Sequence, residues 1–283
     1  MGKTAISWTA SGVSEGKERK GKSWNPWTGC SRLSAGCEHC YAERLSLENG
    51  WSALPWTRPN LAANLVWHSD RLGQPASWRE PTRIFVESMA DLFHPEVPVE
   101  WLVEVERVMA TVPRHTYMTL TKRASVMRER LSHPDVLGVW RQAGGDYPPP
   151  HVWRGVSIEN RKSLPRLELL RATPAAVRWV SAEPLLEDLG DLDLTGIDWV
   201  VVGGESGPGY RDMDHAWAYR LWRQCVEQGV AYYFKQSSGG RAGAGAALTF
   251  PDGSQYVIRQ WPGELNKPEL VSAAGSGNAA RHA

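Results

Sequence analysis

From Arg83 onward, the pattern of hydrophobic and polar positions switches between two periods. Short runs rich in β-branched residues predict buried strands, and longer stretches with apolar residues on one face predict amphipathic helices. The predicted strands are residues 83–88, 115–121, 152–158, 177–182, 197–202 and 231–235. The predicted helices are residues 99–112, 124–131, 160–171 and 216–228. Strands that alternate with helices in this way favour parallel βαβ units.

Six or seven such units predict an α/β fold, a full or partial TIM-type (β/α)6-8 barrel, and 283 residues are enough for one barrel. These barrels carry their chemistry at the C-terminal ends of the strands. Polar residues stand at those ends here. They are Ser88, Asp91, Thr121, Lys122, Ser157, Glu159, Asn160, Glu183, Glu205, Ser206, Lys235 and Gln236.

The segments outside this rhythm are less regular. Residues 5–9 predict a short strand, residues 12–22 a flexible loop, and residues 51–81 an irregular excursion with a short helix near residues 64–71. Residues 248–258, with Asp-Gly in the turn, are typical of a small C-terminal β-hairpin. We therefore divide the chain into a barrel over residues 1–240, a hairpin extension over residues 241–271 and a small, polar tail over residues 272–283, which we expect to be disordered.

Composition excludes few functions. The net charge of +1 gives no global field towards nucleic acid, although a local basic groove remains compatible with it. No apolar run reaches the length of a membrane span, and residues 1–7 lack the apolar core of a signal peptide, so we expect a cytoplasmic protein with no membrane partner. The 15 tryptophans are expected mostly in the core or barrel wall; a stacking surface for bases is the alternative for some of them.

Cysteine spacing is the strongest chemical signal. Cys30, Cys37 and Cys40 form a C-x6-C-x2-C pattern, whereas Cys225 lies in a predicted helix and is expected to be a buried free thiol. Three neighbouring thiolates suit a [4Fe–4S] cluster that leaves one iron open. A structural zinc ion needs four ligands, and the ring of His39 is poorly placed to be the fourth. Purely structural thiols, one pair of them bridged, are the third interpretation.

The same loop resembles a known superfamily. Asn25-Pro26-Trp27-Thr28-Gly29-Cys30 followed by Cys37-Glu38-His39-Cys40-Tyr41-Ala42 resembles the cluster loop of radical S-adenosylmethionine (SAM) enzymes, particularly the branch related to spore photoproduct lyase. Six residues separate the first two cysteines, where that superfamily usually has three. Further segments resemble the phage-associated three-cysteine-motif family, so that the likeness spans about residues 5–240. They are Met89–His94, Thr119–Lys122, Val156–Asn160, Val180–Leu185, Val201–Gly207 and Phe234–Gln236.

This resemblance implies a cofactor and a reaction. The open iron is expected to bind SAM, and an external electron donor would drive SAM cleavage to a radical that abstracts a hydrogen atom from the substrate. A nucleotide or damaged DNA is the expected substrate. The other hypotheses are a nucleic-acid- or protein-binding module with a structural iron–sulfur or zinc site, and a cluster-bearing enzyme that does not use SAM.

The resemblance also suggests roles for the strand-end residues. Ser88 and Asp91 are candidates for the SAM amino group, and a helix N-cap is the alternative for Asp91. Lys122 is the candidate for the SAM carboxylate, with an exposed lysine as the alternative. Candidates for the ribose are Ser157, Glu159 and Asn160, for which the alternative is a cap of the next helix.

Four more residues complete the predicted site. Tyr41 is expected to pack near the cofactor, with plain packing as the alternative. Glu183 and Lys235 are expected to share the barrel mouth and to form a buried ion pair, with a purely architectural role as the alternative. Glu205, in a glycine-rich strand end, is expected to contact substrate or cofactor; a structural turn is the alternative.

Overall fold

A curled sheet of seven parallel strands is the frame of the molecule. The computed structural model describes residues 6–11, 13–14, 17–265 and 269–270. The strands of the sheet are β1 (Lys22–Trp24), β2 (Arg83–Val86), β3 (Thr116–Thr121), β4 (Val152–Ser157), β5 (Val177–Ala182), β6 (Trp199–Gly203) and β7 (Ala231–Gln236). Their order in the sheet is their order in the chain. Right-handed crossovers then all step in one direction and place the helices on one face.

Helix α1 (Tyr41–Glu48) follows Cys40, and its buried Ala42 belongs to a small separate cluster with Trp56 and Met89. The later helices cover the convex face and form the main core with it. They are α2 (Val99–Thr111), α3 (Ala124–Leu131), α4 (Pro134–Ala143), α5 (Pro165–Arg171) and α6 (His215–Glu227). In α2, Leu102, Val105 and Met109 recur at helical spacing and are buried in this core, as the apolar period predicts. Among the described residues no strand pairs β1 with β7, so the sheet forms a half-barrel, which confirms the predicted α/β fold at the level of a partial TIM-type barrel.

The concave face holds a second core made of aromatic residues. Trp8, on a 3-10 helix (Ser7–Thr9), lies inside the curl, with ring centroids 4.9 Å from Phe85 and 5.1 Å from Trp179. Gly155 on β4 leaves the room this packing needs, because a Cβ there would lie 2.4 Å from the Trp179 ring. The N-terminal segment therefore fills the lower part of the half-barrel, and the space above it stays free at the C-terminal ends of the strands.

Four predictions about elements need correction. A strand is predicted over residues 5–9, but Ser7–Thr9 within it is a 3-10 helix. The predicted loop over residues 12–22 runs into β1, a strand too short and polar to show a period. The helix expected over residues 160–171 starts as a 3-10 turn, and its α-helix begins only at Pro165. Near residues 64–71 there are single helical turns, Leu61–Asn64 and Ser69–Leu72, separated by Val66–Trp67, which pairs with Trp27–Thr28.

The C-terminal hairpin is confirmed. Leu248–Thr249 pairs antiparallel with Gln255–Val257, and a third strand, Glu269–Leu270, extends the small sheet. Phe250 in the turn packs on Trp222 of α6, with ring centroids 4.6 Å apart. The tail predicted over residues 272–283 lies outside the described residues.

Several short elements complete the description. Val13–Ser14 pairs with Lys17–Glu18. The remaining single turns are Ala35–Cys37, Arg58–Asn60, Gln74–Ser77 and Arg161–Ser163. In the described part of the chain, no helix combines the length and the apolar character that crossing a membrane requires.

Candidate functional site

A cavity of about 210 Å³ opens at the C-terminal ends of the strands. Its apolar floor includes Trp8, Phe85 and Leu120, which belong to the concave core or pack against it. Polar side chains that follow the floor along the strands form its wall. They are Lys122 after β3, Ser157 on β4, Ser181 and Glu183 at the end of β5, and Lys235 on β7. The roof is the loop that carries the clustered cysteines.

The cysteine loop is held at its first thiol by backbone pairing. Gly29 forms a parallel bridge with Ala90, and its amide donates to the carbonyl of Met89 over 3.1 Å. Its φ of 101° and the carbonyl of Asn64, only 2.1 Å from where a Cβ would stand, both require glycine at this position. Cys30 is therefore held beside the segment that follows β2, where it lines the cavity.

Cys30, Cys37 and Cys40 all line this cavity and are partly buried, whereas Cys225 is fully buried on α6, as predicted. Ala35–Cys37 forms a 3-10 turn, and Cys40 precedes the first residue of α1. All four cysteines are free thiols, so the disulfide interpretation is wrong.

The three cysteines do not make up a preformed metal site, but the chemistry of their thiols fits a cluster. Within the described ranges, no three His, Cys, Asp or Glu side chains are grouped so that they could hold one metal ion, so the zinc interpretation finds no preformed ligand set. In a [4Fe–4S] cluster each cysteine binds a different iron, so three sulfurs have to face a shared space rather than a shared point. Three soft thiol ligands around one cavity meet that requirement.

The environment of the thiols also bears on metal binding. Burial, with the nearby Asp91 carboxylate, raises the pKa of the Cys30 thiol to about 12, and burial likewise raises the pKa of Cys40. Both thiols are therefore protonated at neutral pH in the metal-free chain. Iron binding would displace these protons. Two N–H groups already point at sulfur: Arg123 Nη1 lies 3.6 Å from Cys30, and the Leu33 amide lies 3.5 Å from Cys37.

Asp91 takes part in a buried ion pair. Its Oδ2 lies 2.8 Å from Nη1 of Arg123, and its Oδ1 accepts from the Thr121 hydroxyl at 2.6 Å and from the Phe93 amide at 3.0 Å. No helix starts directly after it, since α2 begins at Val99, so the N-cap alternative is wrong. Arg123 also donates to the carbonyl of Ser31 over 2.7 Å. Asp91 thus orients the arginine that holds the cysteine loop.

Lys122, Ser157 and Glu159 lie together as predicted, but only the first two line the cavity among the described residues. Lys122 Nζ lies 3.3 Å from Ser157 Oγ, so it is not an exposed lysine. Glu159 is fully buried, pairs with Arg166 over 2.7 Å and accepts a hydrogen bond from Ser34. Although burial opposes it, the charges of Lys122 and Arg166 hold the pKa of Glu159 below its usual range.

The other predicted residues divide between cavity and architecture. Asn160 is not part of the cavity lining among the described residues. It caps the 3-10 turn Arg161–Ser163 in a capping box, which agrees with the alternative role given to it above, a cap of the next helix. Ser88 and Tyr41 both line the cavity and are joined, because the Tyr41 hydroxyl donates to the Ser88 carbonyl over 2.8 Å. The Ser88 hydroxyl donates to Asn25 over 3.1 Å.

The ion pair predicted between Glu183 and Lys235 forms, but it is partly exposed rather than buried. Lys235 Nζ lies 2.7 Å from Glu183 Oε1, and the Ser181 hydroxyl donates to the other oxygen over 3.1 Å. Gly203 makes this arrangement fit, because a Cβ there would lie 2.9 Å from Glu183 Oε1. The pair presents an ammonium group and a carboxylate side by side in the lining of the cavity that also contains Lys122.

Glu205 contacts the cysteine loop. Its Oε2 lies 2.9 Å from Nδ1 of His39 and accepts from the backbone amide and Nε of Arg211, each over 2.9 Å. These hydrogen bonds and the arginine charge lower the pKa of Glu205 to about 2 despite the opposing effect of burial. The carboxylate is therefore ionised at neutral pH and fully engaged by protein donors.

Sequence reasoning missed three charged residues that shape this site. Arg123 directly follows the predicted Lys122, so its position after a strand was an available signal. Arg211 lies in a loop without a motif, and nothing in the pattern singles it out. Glu87, the residue after β2, is buried in the cavity lining with a φ of 60°, and its Oε2 has no hydrogen-bond partner in the described part of the chain.

Comparison with known proteins adds one match. A model of the family described as "Protein of unknown function (DUF5131)" matches residues 3–262, a range that contains the whole half-barrel and the cysteine loop. No curated protein and no solved structure matches the chain.

Proposed function

Because the chain belongs to the DUF5131 family, whose description assigns no activity, its function has to be argued from its site, and we propose that it is a radical SAM-type enzyme. In this proposal Cys30, Cys37 and Cys40 hold a [4Fe–4S] cluster whose open iron binds SAM. One observation carries it: three thiols of a single loop face the cavity in which the polar strand ends of a parallel half-barrel meet.

The cluster and SAM would supply reductive cleavage of SAM, with electrons from an external donor, and a radical that removes a hydrogen atom from the substrate. Lys122 is a cation of the cavity lining that would bind a carboxylate, whereas Lys235 and Arg123 of the same lining are paired with carboxylates of the protein; Ser157 beside Lys122 is a hydroxyl partner for a sugar. Asp91 acts indirectly, since its carboxylate is occupied by Arg123, Thr121 and Phe93.

The remaining wall suits a polar substrate. Glu183 and Lys235 offer acceptor and donor groups side by side, and the aromatic residues Trp8 and Phe85 lie in the floor. A nucleotide or a base of damaged DNA combines a flat ring with donor and acceptor groups on one edge, so we retain it as the substrate class.

Anaerobic reconstitution with ferrous iron and sulfide tests the proposal. The wild-type chain should take up about four irons, and a Cys37→Ala variant should bind less iron and lose SAM cleavage. Cys225→Ala is the matched control, because Cys225 lies outside the cavity and its removal should leave the iron content unchanged. After chemical reduction in the presence of SAM, the wild-type and control proteins should release methionine and 5′-deoxyadenosine.

Each contrary result selects another hypothesis. A chain that binds iron and sulfide but never cleaves SAM would be a cluster-bearing protein of different chemistry. A colourless chain that retains zinc through the same cysteines would be a binding module with a structural site. Equal iron content in the wild-type, Cys37→Ala and Cys225→Ala proteins would show that the cysteine loop does not bind the iron.

A further inference from the structure

The spacer between the first two cysteines has a structural use. Six residues, 31–36, separate Cys30 from Cys37, which is three more than the superfamily usually has between its first two cysteines. Together with Cys37, Glu38 and His39 they form a segment that we call the strap (residues 31–39). The strap runs over the cavity from the ends of β3 and β4 to the loop that follows β6.

The first anchor of the strap lies at β3 and β4. Arg123 donates to the carbonyl of Ser31 over 2.7 Å, and the hydroxyl of Ser34 donates to the buried carboxylate of Glu159. Gly36 lies directly on these elements, because a Cβ there would stand 3.2 Å from Cδ of Glu159 and 3.3 Å from Cε of Lys122. This end of the strap therefore rests on the residues that line or support one wall of the cavity.

The second anchor lies after β6. Arg211 donates through Nη2 to the carbonyl of Ala35 and through Nη1 to Glu38, each over 2.9 Å. The same guanidinium binds both oxygens of Glu205, which also lies 2.9 Å from His39. The Glu205 side chain is only 4% exposed, so this carboxylate is a fixed point to which His39 of the strap and Arg211 attach directly, and Ala35 and Glu38 attach through Arg211.

The three thiols depend on different anchors. Cys30 follows the Gly29–Ala90 bridge and lies beside Arg123, so its position is set at β2 and β3. Cys37 and Cys40 flank Glu38 and His39, the two residues whose side chains attach to Arg211 and Glu205. The distance between the first thiol and the other two is thus set across the width of the half-barrel.

We propose that Glu205 and Arg211 are positioning residues, a latch that fastens the strap to the loop after β6 and fixes Cys37 and Cys40 opposite Cys30. The role of the thiols as iron ligands rests on the proposed function, but the latch itself does not. Glu205, predicted to contact substrate or cofactor, then acts on the site through the cysteine loop.

Hydrogen–deuterium exchange of the full-length chain tests the latch, before and after anaerobic reconstitution with iron and sulfide. The variants are Arg211→Ala, Arg211→Lys and the isosteric Glu205→Gln. Loss of the charge-assisted hydrogen bonds should raise exchange in residues 34–39 of the metal-free protein about tenfold, while residues 26–30 stay protected. Arg211→Lys keeps the charge but loses the fork that binds several acceptors, so its effect should be intermediate.

Arg220→Ala is the matched control. Like Arg211, the Arg220 guanidinium binds two carboxylates, Asp188 at 2.7 Å and Asp191 at 2.9 Å, but among the described residues it is not part of the cavity lining. It should leave strap exchange unchanged. In reconstituted protein, Arg211→Ala and Glu205→Gln should release iron to a chelator about tenfold faster than wild type or Arg220→Ala, with an altered electron paramagnetic resonance spectrum of the reduced protein.

The outcomes separate the latch from the proposed function. Wild-type exchange of residues 34–39 in both Arg211→Ala and Glu205→Gln would overturn the latch. An increase of the same size in Arg220→Ala would overturn it too, because the effect would then be general loosening. Faster strap exchange in a chain that never binds iron would support the latch and count against the radical SAM-type assignment. Should Arg211→Ala fail to fold, Glu205→Gln decides.

Discussion

Replacement of Asp91 by alanine should destabilise the fold strongly. The Asp91 and Arg123 side chains are only 8% and 7% exposed, so the variant leaves a guanidinium charge buried without its carboxylate. Breaking a buried ion pair from one side costs about 3–5 kcal/mol. The Thr121 hydroxyl and the Phe93 amide also lose their acceptor. We therefore expect the free energy of unfolding to fall by about 3–5 kcal/mol.

Urea unfolding followed by circular dichroism measures this change. Asp91→Asn should cost nearly as much, because an amide keeps the shape but leaves the Arg123 charge unpaired. Glu104→Ala is the matched control: it breaks the pair with Arg107, in which both side chains are nearly half exposed, and should change stability by no more than about 0.5 kcal/mol. A loss below about 1 kcal/mol in both Asp91 variants would refute the interpretation of Asp91 as the partner that stabilises a buried arginine.

Two further perturbations probe the core and the loop. Gly155→Ala should destabilise the protein by about 1–3 kcal/mol, because its Cβ would lie 2.4 Å from the Trp179 ring. Gly138→Ala is the control, because Gly138 lies in α4 with free space around it, and this change should be neutral or stabilising. Equal urea midpoints for the two variants would contradict the packing argument. Burial and the nearby Arg123 charge lower the pKa of His94 to about 4 from the ordinary 6.5. Below pH 6.5 the unfolded chain then binds this proton more readily, so His94 should reduce stability as pH falls from 6.5 towards 4. The difference in unfolding free energy between wild type and His94→Gln should shrink over that interval, and a pH-independent difference would show that His94 does not titrate in this way.

The parts of the fold that could be predicted are those with a clear apolar period. The helix over residues 124–131 and the strand over residues 177–182 have the predicted limits. β1 could not be predicted, because it has only three residues, two of them polar, and so shows no alternation of apolar and polar positions. Ser7–Thr9 resembles a strand in its local sequence, but Trp8 is buried between Phe85 and Trp179, a contact that only the folded sheet creates.

The site shows the same limit for individual side chains. Strand order alone correctly placed Lys122, Ser157, Glu183 and Lys235 around one cavity, because parallel strands bring their C-terminal ends together. It could not tell that Glu159 faces Ser34 and Arg166, or that Glu205 faces His39 and Arg211. Those contacts depend on how loops fold over the strand ends, and loop paths are not encoded in hydrophobic periodicity.

The cysteine motif is short in sequence, yet its shape is assembled from distant parts of the chain. Arg211 and Ala35, which share a hydrogen bond, are 176 positions apart. During synthesis the thiols are therefore exposed long before the residue that steadies two of them has been made. The three cysteines are made early, but they acquire their final spacing only after β6 and the loop that follows it are in place.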